Sequence, residues 1–170
     1  ALSMITAGSH SGGQELLEEV IAGQTKQLSA THLTTVETTC VLASSLRATG
    51  QRDRARELYK HSIEALTAEL GPKHATTLTT CFNLASLLDE MDERQSARKM
   101  YEDIVEGQNE TLGADHPETL ATMYNLADLL ESREFMEYSS ARDLFVAVAA
   151  GYTKAHGPEH AETQDANARV

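Results

Sequence analysis

The stretch LGADHPETLATMYNLADLL, Leu112–Leu130, decides the fold, because the chain has already written it once. Forty-two residues earlier stands LGPKHATTLTTCFNLASLL, Leu70–Leu88. A looser copy, SATHLTTVETTCVLASSL (Ser29–Leu46), lies another 42 residues upstream, and GPEHAETQDANARV (Gly157–Val170) follows 44 residues after GADHPETLATMYNL. His32, His74, His116 and His160 mark one register, Ala43, Ala85 and Ala127 a second, and Ala55, Ala97 and Ala141 a third. The last interval of the third set is 44, so two extra residues stand near Tyr138. A period of this size signals a solenoid whose units bury their apolar faces against neighbours.

Each unit holds two helical patterns. From Ala97 the second reads Met100, Tyr101, Ile104 and Val105; from Ala141 it reads Leu144, Phe145, Val148 and Ala149. That is one apolar stripe at helical spacing. The first pattern reads Val36, Cys40, Leu42, Ala43 and Leu46, then Leu78, Cys81, Leu84, Ala85 and Leu88. Gly71, Gly113 and Gly157 follow the second helices, where positive-φ backbone ends a helix cheaply. Pro117 fits the first turn of a helix, where its missing N–H costs nothing. Short polar turns such as ATGQR join the helices of a unit as antiparallel neighbours. The register alanines allow close crossing, with axes about 8–10 Å apart; Ala85 and Ala97 are the pair expected to meet.

The fold expected is therefore all-α: a right-handed α-solenoid of antiparallel helix pairs, about eight helices. Residues 1–13 read as a flexible lead and 14–28 as a lone second helix. Helix pairs follow at 29–70, 71–112 and 113–156, with a truncated first helix at 157–170. Ending inside a helical pattern reads as a fragment of something larger.

Composition agrees. Among 170 residues only 5% are aromatic, Trp is absent and three prolines leave long stretches unbroken. A net charge of −12 disfavours nucleic acid and anionic membranes and favours basic partners. No apolar run approaches the roughly 20 residues of a membrane span. Two cysteines make no disulfide framework, which fits a reducing cytoplasmic or nuclear setting.

The lines LGADHPETLATMYNLADLL…ARDLF and LGPKHATTLTTCFNLASLLDEMDERQSARKMYEDIV resemble tetratricopeptide repeats, and their longer unit is similar to the kinesin-light-chain type. The resemblance covers about Glu15 to Val170. It implies a protein- or peptide-binding module, of the kind found in motor cargo adaptors and signalling ATPases, with first helices lining a concave wall. Carried onto this sequence, the implied ligand-facing positions are Glu37, Cys40, Val41, Ser44 and Arg47. The next unit gives Thr79, Phe82, Asn83, Ser86, Asp89 and Glu90. The third gives Ala121, Tyr124, Asn125, Asp128, Glu131 and Ser132. The first unit departs from the pattern, with Val41 in place of the Asn and Ser29 in place of the loop glycine. The lysines that clamp a terminal carboxylate in chaperone-binding relatives are absent from these positions.

On that wall Glu37, Asp89, Glu90, Asp128 and Glu131 face Arg47 alone, which suggests a ligand carrying Lys or Arg around an apolar anchor. Phe82 and Tyr124 either cradle that anchor or belong to the inter-repeat core. Asn83 and Asn125, each donor and acceptor, either hold an extended peptide backbone or bond a neighbouring helix end. The acidic residues either form the groove or a solvated face. Self-association through solenoid ends is the competing function.

No catalytic, cofactor or metal site is expected. The four histidines recur once per repeat, too far apart to share a metal whose ligands must lie within about 2.0–2.3 Å; they read as loop residues closing the joint before a first helix. Cys40 and Cys81 occupy different registers with no nearby His, and read as small apolar residues. There is no phosphate-cradling loop, His-Glu-x-x-His or Cys-x-x-Cys.

Overall fold

The computed structural model describes residues 10–170. Among them are eight helices and no strand: α1 (His10–Gln27), α2 (Leu33–Ala48), α3 (Arg52–Leu70), α4 (Ala75–Glu90), α5 (Arg94–Thr111), α6 (Pro117–Glu131), α7 (Tyr138–His156) and α8 (Ala161–Ala168). Two compact units divide the chain, Ala1–Met91 and Asp92–Val170. In the first, α1 packs on α2, α2 on α3 and α3 on α4, and α4 also touches α2. In the second, α5 packs on α6, α6 on α7 and α7 on α8.

The expected lone second helix starts at His10, four residues before Gln14. The Gly12-Gly13 pair does not stop it, because Gly13 is buried where α3, α5 and α7 place Ala55, Ala97 and Ala141. A small residue at a close crossing offsets the cost of glycine in a helix. The rest of the expected lead, residues 1–9, lies outside the described residues.

Burial follows the register. All six register alanines are fully buried. Tyr59, Tyr101 and Phe145, at one position of α3, α5 and α7, are the largest fully buried side chains. Ala85 and Ala97 are both buried, one in each unit. In the second unit Leu120, Met123, Val148, Ala149, Tyr152 and Ala166 form one cluster, with Val105, Tyr124 and Leu144 at its margin. There α6 and α7 approach so closely that a Cβ on Gly151 would lie 2.6 Å from Leu120 Cδ2.

The repeated histidines have a definite role. His32, His74 and His116 stand in extended backbone at the N-caps of α2, α4 and α6. Each ring Nδ1 accepts the backbone N–H two residues on, from Thr34 (3.3 Å), Thr76 (3.2 Å) and Glu118 (3.3 Å). This satisfies one orphan donor of each helix start. His160 caps no N–H; its ring stacks on His156 at 4.6 Å instead.

A threonine three residues after each histidine completes the joint. Thr77 and Thr119 donate to the carbonyls of Gly71 and Gly113, both at 2.9 Å. Those glycines hold φ of 93° and 94°. Gly71 pairs that φ with a ψ of 161°, a backbone region nearly closed to other residues. Ser29 stands where a glycine is wanted and is held at φ 140°. In that joint Thr35 Oγ1 is buried without a hydrogen-bond partner.

The two-residue insertion is absorbed between α6 and α7. In the α2–α3 turn Gln51 N–H donates to Leu46 O at 2.9 Å; its register mate Glu137 N–H donates to Leu130 O at the same distance. The extra residues bulge outward, leaving Met136 (φ 50°) and Tyr138 each 59% exposed.

Candidate functional site

Successive first helices enclose a hollow in each unit. Between α2 and α4 it has a volume of about 340 Å³, with Val36, Leu66 and Ala75 as apolar lining and Glu37, Cys40, Thr76, Thr79, Thr80 and Asn83 as polar lining. Of the residues selected from the sequence, the structure therefore brings Glu37, Cys40, Thr79 and Asn83 together. Glu37 is exposed and makes no ion pair among the described residues. Cys40 Sγ lies 3.8 Å from Thr80 Oγ1, and both cysteines are free thiols.

The wall is less acidic than counting suggested. Arg47 grips Glu90 with Nη2–Oε1 at 2.6 Å and Nε–Oε1 at 3.0 Å, and Arg52 adds a contact at 3.7 Å. The Arg47 hydrogen bond holds the Glu90 carboxyl below its usual range, with burial opposing. Ser44 shares a 2.8 Å hydrogen bond with the buried Tyr59 hydroxyl, whose proton is held more tightly because burial disfavours the phenolate. Val41, Phe82, Ser86 and Asp89 are half-buried and do not line this hollow.

The hollow between α6 and α8 occupies the same register. It measures about 200 Å³ and is lined by Ala121, Tyr124, Asn125, Tyr152, Glu162 and Asp165. Asn125 Nδ2 donates to Ala121 O of its own helix at 2.8 Å, so one of its donors is already used. Tyr124 O–H donates to Asp165 Oδ2 at 2.6 Å, which raises its pKa.

Sequence reasoning missed Arg169. Its guanidinium donates to Asp128 and to Glu131 Oε2 (2.6 Å), and sits 4.6 Å over the Phe145 ring and 5.9 Å from that of Tyr124. Phe145 in turn packs edge-on against Tyr124, with centroids 5.2 Å apart. The hydrogen bond to Glu131 pushes the guanidinium pKa further upward. The two carboxylates expected to face a basic ligand thus face a cation of this chain. The available signal was register: Arg169 occupies in α8 the position of Asn83 in α4 and Asn125 in α6. Ser132, beside them, ends α6 with its Oγ buried and unpaired.

A further hollow of about 600 Å³ lies between α1, α2 and α3, with Ile21, Leu42 and Leu58 as apolar lining and Glu18, Thr39, Asp53, Arg54 and Glu57 beside them. Arg54 Nη2 reaches Glu18 Oε1 across it at 2.8 Å. Thr39 stands there at the position that Met123 fills in the core of the second unit.

Among the described residues no helix is long and apolar enough to cross a membrane. No curated protein matches the chain. Solved structures do. A Podosopora anserina protein described as a kinesin light chain with nearly identical TPR-like repeats is 26% identical, superposes with a TM-score of 0.86, and is matched over 98% of this chain and 78% of its own. BtubC (BKLC) from P. vanneervenii shares the fold at 17% identity and a TM-score of 0.68, over 98% of this chain and 72% of that one. MamA does so at 14% and 0.54, over 98% and 92%. Tetratricopeptide-repeat models match residues 37–110, 83–134 and 119–162. The chain is an all-α solenoid that belongs to the tetratricopeptide repeat family, a family of protein–protein interaction scaffolds.

Proposed function

We propose that this chain is an adaptor-type docking module that takes an extended peptide segment, with an aliphatic anchor flanked by Lys or Arg, on its first helices. The observation that carries the reading is the α2/α4 hollow. It joins apolar depth from Val36 and Leu66 to a polar rim in which Asn83 can meet a peptide backbone and Glu37 a cation. Thr79 stands beside them; Arg47, Phe82, Ser86, Asp89 and Glu90 flank this site, and Tyr124, Asn125, Asp128 and Glu131 its counterpart. The role is binding rather than chemistry, and the two free thiols favour a reducing, cytoplasmic setting.

Fluorescence anisotropy with matched peptides, differing only in a Lys or a Glu beside a Leu anchor, tests it. The Lys peptide should bind more tightly, lose affinity with added salt, and weaken several-fold with Asn83→Ala or Glu37→Gln. Preference for the Glu peptide, or indifference to both substitutions, would reject the reading.

Self-association has one observation in its favour. Val20 is 41% exposed on α1, whereas its register mates Ser62, Ile104 and Val148 are buried. Gln164 and Asn167 are exposed on α8 where α6 buries Leu120 and Met123, so pairing of two α1 edges fits better than α8 against α1. Light scattering across a dilution series decides: a dimer dispersed by Val20→Glu supports this second reading, and a monomer throughout removes it.

A further inference from the structure

We propose that Asp128, Glu131, Tyr124 and Phe145 form a guanidinium receptor whose resident occupant is Arg169, so that α8 is a displaceable lid competing with an arginine-bearing peptide segment. The proposal rests on reading the first-helix hollows as a docking surface, and it names both the side chain that one hollow takes and what controls access to it.

Three observations point this way. The receptor is matched to a guanidinium rather than to positive charge in general. Two carboxylates take one edge of the Arg169 head group while its carbon lies 4.6 Å over the Phe145 ring. A planar, weakly hydrated fork can both donate along its edge and stack by its face, and an ammonium cannot. Next, α8 has little else to hold it. Of its eight residues only Thr163 and Ala166 are buried, Thr163 Oγ1 has no partner, and His160 supplies no side-chain cap. A helix of eight residues is well below the about 12–15 needed for marginal stability alone, so Arg169 is its main polar anchor. Finally, the register mates of Arg169 are the neutral Asn83 and Asn125. A charge has been placed where the other first helices offer an amide, and it lies over the carboxylates an incoming cation would use.

A peptide arginine entering the receptor would reproduce the contacts Arg169 makes. Its apparent affinity is therefore reduced by the fraction of time Arg169 occupies the site. Vacating the site by mutation removes that reduction.

The test uses the acetylated, amidated peptide Gly-Leu-Arg-Leu-Gly and its Lys and Gln counterparts, with anisotropy as the readout. Arg169→Ala should bind the Arg peptide about tenfold more tightly than the unaltered chain, gain less for the Lys peptide and nothing for the Gln peptide. Adding Glu131→Gln to Arg169→Ala should cancel the gain. In a thermal melt, ethylguanidinium should raise the midpoint of Arg169→Ala and leave that of the unaltered chain in place; ethylammonium should do neither. An equal gain for the Gln peptide, a gain that survives Glu131→Gln, or no rescue by ethylguanidinium would overturn the proposal.

A variant in which α8 unravels is covered by Glu131→Gln alone. Amide exchange across Ala161–Ala168 should quicken as in Arg169→Ala, yet the Arg peptide should bind no better, because the receptor itself is damaged. If the two variants bind alike, the contact only docks a helix and the proposal falls. Failure of the underlying docking reading would appear separately, as indifference to Glu37→Gln and Asn83→Ala.

Discussion

The hollow of the first unit and that of the second are one site built twice with different side chains. Glu37, Cys40, Leu66, Thr76, Thr79 and Asn83 in the first correspond by register to Ala121, Tyr124, Tyr152, Glu162, Asp165 and Arg169 in the second. Small and hydroxyl-bearing residues leave about 340 Å³ open; aromatic and charged ones reduce it to about 200 Å³ and link the helices through Tyr124–Asp165 and Arg169–Glu131. Repeat architecture fixes where a hollow lies. The side chains at a few register positions decide whether it is open to a partner or closed by the chain itself.

The largest expected effect concerns a volume exchange between the units. Gly151 faces Leu120 in the second; the same register positions in the first are Ala65 and Val36. Gly151→Ala should cost about 1–3 kcal/mol by overpacking, read by denaturant unfolding. Leu120→Val added to it should recover much of that loss. If the double variant is no better than the single one, the two units do not share one packing rule.

Next come the joints. Ser29→Gly should stabilise the chain by about 1 kcal/mol, by relieving a serine held at φ 140°, while Gly71→Ala should destabilise it by a similar amount or more. Opposite shifts in melting temperature check the pair. The caps follow. His116→Ala should cost about 0.5–2 kcal/mol, whereas His160→Ala should be near neutral because His160 accepts no helix N–H. Equal losses would mean that the cap at His116 is not what holds the start of α6.

The smallest effect is electrostatic. Arg47 lowers the Glu90 pKa in the folded chain, so the pair favours folding above the ordinary glutamate value and loses that contribution as pH falls through the lowered one. In Glu90→Gln, acid unfolding should lose this part of its pH dependence while stability near neutrality changes little, as both side chains are partly exposed.

Much of the fold was legible because period, apolar stripe and punctuation agreed. The histidines were correctly placed in the joints, but their capping role needed geometry: imidazole is not among the commonest N-cap groups. The threonine that follows each one was present at the same period in Thr35, Thr77, Thr119 and Thr163, and passed unread because threonine is common on helices and its bond to the glycine carbonyl crosses six residues. For the site, positions on a helix face could be counted, so Glu37, Thr79 and Asn83 came out together. Pairing could not. Arg47–Glu90 and Arg169–Glu131 span 43 and 38 residues, and a charge tally treats their carboxylates as unspent.

The corner between α6 and α7 carries one more consequence. Its two additional residues leave the clasp from Glu137 to Leu130 where its counterpart lies in the α2–α3 turn, so everything between is decoupled from helix register. The entropic toll of a longer excursion grows only logarithmically, about 0.6 kcal/mol per doubling. Foreign epitopes or fluorescent tags of modest size grafted between Ser132 and Glu137 should therefore leave the scaffold intact, making this bend a natural handle for engineering.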